Sequence, residues 1–232
     1  MLAILYGLRS FRSFLTNKIV KVFTDNKNAS IITARGSNTL RLQALAIEIF
    51  EFCFHHNVSL AVEWIPRSLN EYADSLSRII DYDDWAISAA FFSHVSSLFG
   101  PFEVDRFASS HTAKCKRFYS KFWCPGCEGV DAFSTSWATA KNYLVPPIHL
   151  VARTVSHLEV CRALGVLIIP KWISASFWPF IYPCGVPRSS VIRVVEFSDP
   201  TGIFDSSHLN FSTIFGSHNF RSPVLVVHLD AR

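Results

Sequence analysis

Charge is scarce in this chain. Only 17% of its 232 residues are Asp, Glu, Lys or Arg, against 50% hydrophobic and 14% aromatic. That balance excludes an intrinsically disordered chain, which combines low hydrophobicity with high net charge. Methionine is nearly absent, with one residue against 21 Phe, so rigid rings carry much of the apolar packing. A concentrated basic face is also missing. The net charge is +4, and the cations are scattered apart from a modest group at Lys114, Lys116, Arg117 and Lys121. Readers of nucleic acid usually gather their basic residues on one surface, so charge alone does not nominate that function, and a solvated loop is the favoured reading of the group. There is no internal repeat and no low-complexity tract.

Cysteine is too sparse for a disulfide framework: six residues in a chain of this length. Cys53 and Cys161 lie in apolar runs that read as helices, where buried free thiols are ordinary. The only CxxC is Cys124-Pro125-Gly126-Cys127. Structural zinc needs a second ligand pair, and only Cys115 and His111 are near. A redox CxxC needs a strand running into a helix, which the surrounding sequence lacks. Reduced thiols are therefore expected. Met1 to Leu15 has no basic segment before its apolar residues and no small-residue cleavage site, which argues against a secretory leader. The expected location is intracellular, in nucleus or cytoplasm, and not secreted. The apolar run Leu164–Tyr182 is interrupted by Pro170, Lys171 and Pro179, so no transmembrane helix and no membrane partner are expected.

The length allows one large domain or two small ones. Up to an acidic stretch at Asp81–Trp85, the pattern predicts helix (2–16), strand (19–24), helix (26–34), long helix (39–56), strand (58–64) and helix (70–79). Leu42, Leu45, Ala46, Ile49 and Cys53 form the apolar face of the long helix. Alternating strands and helices predict an α/β layer with parallel pairing, its two strands leaving an open sheet edge. A linker is expected over residues 81–90, a second α/β domain over 91–182, and a β-containing tail over 183–232. In the second domain, Phe99–Ser109 reads as a strand ending in Asp105 and a small-residue turn, and Ala163–Pro170 as another strand.

Two aspartates stand out, 49 positions apart. Asp25 ends the apolar strand Val20-Lys21-Val22-Phe23-Thr24, and Asp74 lies in the first turns of the helix carrying Asn70-Glu71-Tyr72-Ala73-Asp74-Ser75-Leu76-Ser77-Arg78. A strand-end carboxylate and one on a helix folding back over it form a pair that can share magnesium. Two-metal nucleases use such carboxylates to hold ions roughly 3.5–4 Å apart across a phosphodiester. Each aspartate has a plainer role as well. Asp25 or Asn26 suits the cap of the next helix, and Asp74 is a first-turn acid favoured by the helix dipole.

The stretch from Ala3 to Arg78, through Thr24-Asp25-Asn26 and Asn70–Arg78, resembles the RNase H domain of retroelement reverse transcriptases, particularly those of DIRS-type elements. The resemblance implies Mg²⁺-dependent hydrolysis of RNA in RNA–DNA hybrids. Asp25 and Asp74 would be the catalytic and metal-holding carboxylates, with nucleic-acid contacts through Asn26, Asn70, Arg78, Lys114, Lys116 and Arg117. In that family two further carboxylates come from a first strand and a helix ahead of Thr24-Asp25-Asn26, and this sequence starts after both. The resemblance therefore implies impaired catalysis. The alternatives are a co-opted nucleic-acid-binding protein, also using Arg9, Arg12, Lys18 and Lys21, or a nuclease active only when a missing segment or partner chain completes it.

The following region looks like the part after RNase H in DIRS-type elements and, more distantly, like phage-type adenine-N6 DNA methyltransferases. Those enzymes place an acid by the cofactor ribose, matched here by Asp105, and hold the flipped base with an Asn/Asp-Pro-Pro-aromatic loop. Here the loop reads Val145-Pro146-Pro147-Ile148. Valine accepts no hydrogen bond from an exocyclic amine and isoleucine offers no ring, so a degenerate methyltransferase-like domain without S-adenosylmethionine chemistry is expected.

Overall fold

The computed structural model describes residues 1–77, 85–205, 214–215 and 220–232. The protein is mixed α/β and divides into two compact units, Met1–Ile79 and Ile80–Arg232.

The first unit runs α1 (Leu2–Ser10), α2 (Arg12–Leu15), β1 (Ile19–Thr24), α3 (Lys27–Arg35), α4 (Leu40–His55), β2 (Ser59–Trp64) and α5 (Glu71–Leu76). The expected helix 2–16 breaks at Phe11, whose φ of −103° and ψ of 18° leave the helical region. The expected helix 70–79 is described only as far as Leu76. β1 and β2 pair in parallel, Ile19 opposite Ser59 and Thr24 opposite Trp64. Two asparagines set that register. Asn17 and Asn57 both adopt positive φ (61° and 50°) just before the strands, a conformation Asn tolerates better than most residues. The Asn57 side-chain amide Nδ2 donates to Asn17 Oδ1 at 3.0 Å. Val22, Leu60 and Val62 pack on a core of Ile4, Leu5, Leu8, Ala29 and Ile49. On the opposite face of β1, Ile19 and Phe23 are exposed.

The second unit contains α6 (Ala89–Phe99), β3 (Val104–Asp105), β4 (Arg117–Ser120), β5 (Gly129–Val130), β6 (Lys141–Leu144), α7 (Val151–Val160), β7 (Leu164–Pro170), β8 (Val191–Phe197) and β9 (Val224–Asp230). They form one sheet in the order β5-β4-β3-β6-β7-β9-β8, with β3 to β7 paired in parallel and β9 antiparallel to both its neighbours. β7 is covered on both faces, as a central parallel strand must be. Leu167 and Ile169 join the core under α7, built on Val151, Val155, Leu158, Trp137 and Phe177. Val166 and Ile168 face the other way, into the core under α6 with Phe91, Val95 and Phe99. β9 alternates in step: Leu225 and Val227 on the first face, Val224 and Val226 on the second.

Three expected boundaries are corrected by this sheet. Residues 183–232 are not an appended tail. β9 pairs with β7 from Leu164–Asp230 to Pro170–Val224, because β7, apolar and buried on both faces, needs a strand partner on the side away from β6. Trp85 to Ala90 is not linker: Trp85 and Ile87 are buried in the α6 core and α6 begins at Ala89. Residues 81–84 lie outside the described residues. The strand expected over Phe99–Ser109 shrinks to Val104–Asp105, since Phe99 is the last residue of α6.

Candidate functional site

In the first unit the parallel pairing sends the carboxyl ends of β1 and β2 to one edge of the sheet, the edge at which Asp25 and, after a short turn, α5 with Asp74 follow. The strand ends are tied there. Ile65 N–H donates to the Thr24 carbonyl at 2.9 Å, and the Trp64 indole N–H donates to the Asp25 carbonyl at 3.0 Å. The Asp25 side chain is exposed. Its neighbour takes the structural role: the Asn26 side chain accepts from Ala29 N–H at 3.0 Å and caps α3. Asp74 is half-exposed, with the Arg67 guanidinium at 4.0 Å. Asn70 stands at the N-cap of α5 without a side-chain capping bond, and Arg78 lies outside the described residues. Among the described residues, no three His, Cys, Asp or Glu side chains gather closely enough to hold a metal ion. Two carboxylates fall short of the donor set a two-ion site needs. The basic residues of this unit are partly engaged: Arg9 pairs with Glu48 at 3.0 Å, and Lys21 pairs with Glu63 across the two strands.

In the second unit the strand order reverses between β3 and β6, the place where open α/β sheets bind ligands, just outside the carboxyl ends of the strands. Asp105 and the Val145-Pro146-Pro147-Ile148 loop both lie there. Asp105 is buried, and both its oxygens are spent on backbone. Oδ1 accepts from Phe107 N–H at 3.3 Å and Oδ2 from Lys114 N–H at 3.1 Å. Burial pushes its carboxyl up to about 6, against the lowering effect of those two bonds and of the nearby Lys114 charge. It therefore fixes the 106–114 loop, and neither oxygen is turned out toward a ribose. The crevice is filled by Trp85, whose indole N–H donates to the Pro146 carbonyl at 2.9 Å. What remains between Asp105, Thr112, Tyr143 and Val145 is a cavity of about 10 Å³, room for one water. The Tyr143 hydroxyl is buried there without a protein partner.

Of the cluster expected to touch nucleic acid, Lys114 is half-buried and Lys116 exposed. Arg117 is held by Glu128 through two bonds of 2.7 Å, which lower the Glu128 carboxyl. Cys115 is half-buried, and its thiol is pushed up to about 12 by burial and then by the Asp105 charge.

Sequence reasoning missed Arg106 and Asn142. Arg106 is 3% exposed. Its guanidinium lies over the rings of Tyr119 and Trp137 and donates to Asn142 Oδ1 at 2.7 Å. Asn142 is fully buried, and its amide nitrogen reaches the carbonyls of Trp137, Ala140 and Leu164. An amide next to the buried Tyr143-Leu144 pair of a short strand, Lys141-Asn142-Tyr143-Leu144, was the available signal.

No helix of the described residues is long and apolar enough to cross a membrane. No protein-family model matches the chain, and comparison with curated proteins finds no match either.

Proposed function

We propose that this chain is a retroelement-derived protein whose first unit is RNase H-like and catalytically impaired, followed by a degenerate methyltransferase-like unit. The observation that carries the reading is the parallel, in-register pair β1–β2 with Asp25 leaving its carboxyl edge and α5, bearing Asp74, following β2. The helix–strand–helix–helix–strand–helix order expected from the sequence runs through the same residues, with its first helix broken at Phe11.

An RNase H-like site would hold Mg²⁺ through Asp25 and Asp74 and hydrolyse the RNA strand of a hybrid. Magnesium supplies charge neutralisation and an activated water, but two carboxylates leave most positions of two octahedra to water. Asp25 and Asp74 alone therefore do not complete a hydrolytic site. What its own residues do is structural. Asn26 caps α3, and Trp64 ties β2 to the strand end beside Asp25.

The methyltransferase-like reading of the second unit is supported by the position of the Pro146-Pro147 loop at the switch point of a doubly wound sheet. Val145 and Ile148 remove the hydrogen bond and the stacking ring, and Trp85 occupies the Pro146 carbonyl. S-adenosylmethionine is therefore not assigned as a cofactor.

The test is cleavage of a labelled RNA–DNA hybrid by the full chain in Mg²⁺. Activity no higher than that of Asp25→Asn is expected. Strong cleavage that disappears in Asp25→Asn would show a complete site and overturn the impaired reading. Binding of the hybrid without cleavage, weakened by substituting Lys114 and Lys116, would favour a nucleic-acid-binding role instead.

A further inference from the structure

A second pocket opens in the seven-stranded sheet, outside the switch point. It has a volume of about 310 Å³ and is lined by Lys171, Trp178, Tyr182, Val194, Glu196 and Leu225, among others. We propose that it binds a nucleobase, stacked against the Trp178–Tyr182 pair and read along its edge by Lys171 and Glu196. The proposal concerns the second unit alone and does not depend on the RNase H-like reading of the first.

Its position is the first support. β8 runs parallel to β7, because both are antiparallel to β9. Lys171 directly follows β7 and Glu196 lies near the end of β8, so the pocket sits where the carboxyl ends of these two strands flank the start of β9. The volume is at the lower end of the range for small-molecule sites, roughly 300–1,000 Å³, which suits one heterocycle and part of its sugar.

The walls supply the second support. The Trp178 and Tyr182 rings are stacked, with centroids 4.7 Å apart and planes 17° apart. Both residues are half-buried, so the stack keeps an open side. Any base offers a π-face to such a platform, whatever its sequence identity. Burial raises the Tyr182 hydroxyl above its usual range, so it stays a neutral donor.

Edge chemistry decides the ligand class. Lys171 Nζ and Glu196 Oε2 lie 2.7 Å apart, a donor and an acceptor side by side. Base edges present donors and acceptors at adjacent positions in the same way. The two charges cancel, which disfavours a free phosphate or carboxylate as the recognised group. The pair is partly exposed, with side chains at 33% and 38%, so opening it to a ligand costs little.

The rim is fixed in advance. Cys184 adopts a φ of 53° and Gly185 a φ of 80°. A non-glycine residue in that region is strained, a feature that concentrates at ligand clamps. Gly185 N–H donates to the Tyr182 carbonyl at 3.2 Å, and Arg188 N–H to the Ile181 carbonyl at 2.9 Å. Together these bonds hold the 182–188 turn against the aromatic pair.

The experiment is saturation-transfer NMR and calorimetry on the full chain with adenosine, inosine, adenosine monophosphate and a single-stranded deoxythymidine dodecamer. Adenosine should bind. Tyr182→Leu and Lys171→Met should each weaken it at least tenfold, with the circular dichroism spectrum unchanged. Glu196→Gln should reduce the discrimination between adenosine and inosine. Tighter binding of the dodecamer than of mononucleosides assigns the base to a nucleic-acid strand; equal or weaker binding assigns it to a free nucleoside or nucleotide. Should Tyr182→Leu fail to fold, Lys171→Met, at a partly exposed position, carries the test. Absence of binding by every probe at millimolar concentration overturns the proposal, as does binding that neither substitution weakens.

Discussion

Asp105 shows how a single side chain changes meaning between a sequence and a fold. After a short strand it passes for a turn acid or for a ligand-binding carboxylate. In the structure it is a buried anchor whose two oxygens hold the backbone N–H groups of Phe107 and Lys114. Burial is the largest influence on its carboxyl and pushes it up to about 6, whereas an Asp in an unfolded chain titrates near roughly 3.9. A raised folded-state value means that the protonated form is the one the fold prefers. Stability from this group is full below about pH 4 and is lost as the pH rises through 6, by roughly 3 kcal/mol in total. The Cys115 thiol, pushed up to about 12, and the Tyr143 hydroxyl, raised by burial, stay neutral across that window, so Asp105 is the facing group that changes. Urea unfolding of the second unit, followed at pH 4 to 7, should show a falling midpoint. Asp105→Asn should flatten that slope, because the amide has no proton to lose. A wild-type midpoint independent of pH, or a variant with the same slope, would refute the buried-anchor account.

At the scale of elements, the test separates the two neighbours at the end of β1. Asn26→Ala removes the acceptor that caps α3 and should cost about 1 kcal/mol. Asp25→Ala removes an exposed carboxylate and should change stability by less than half that amount. Chemical denaturation of both variants checks this; equal losses would mean that Asp25, too, supports the fold. Much of the element order was legible because periodicity is local. The α4 stripe of Ala46 and Ile49 and the apolar run of β7 appear in sequence as they appear in space. The errors came from information that is not local. Nothing near β9 says that it inserts between β7 and β8, so in sequence it reads as a tail. Trp85 follows an acidic stretch and reads as linker until its indole is found bonded to Pro146, 61 positions away. Phe11 breaks a helix whose apolar spacing continues to Leu15. The candidate site divides along the same line. Asp25 and Asp74 were visible through strand-end and helix-start patterns, whereas the Arg106–Asn142 network and the Trp178–Tyr182 pocket depend on pairings between distant segments.

For the whole molecule, the two units differ in how fully each satisfies its own sheet, and that difference governs where the chain opens first. In the second unit, Val166 to Ile169 and Val224, Val226 and Val227 have no exposed surface, and both faces of the sheet carry a core. In the first, β1 and β2 are paired only with each other among the described residues. Ile19 is 89% exposed, Phe50 68% and Phe54 74%. Each large apolar side chain left wet forgoes roughly 1.5–3 kcal/mol, against a typical domain stability of about 5–15 kcal/mol. Several such side chains on one small unit remove a large share of its margin. Local opening follows local burial, so backbone amides of Ile19–Trp64 should exchange with deuterium faster than those of Val166–Ile169 under conditions that favour the fold. The strands themselves make the sharpest comparison, since Val22 and Val62 lie in a two-stranded sheet while Leu167 lies in a seven-stranded one. Equal, strong protection in both sets of strands would mean that some further surface covers the exposed side chains and the open edges of β1 and β2 in solution. A second copy of the chain would then be the first candidate, and protection of Val22 and Val62 that falls on dilution would identify it.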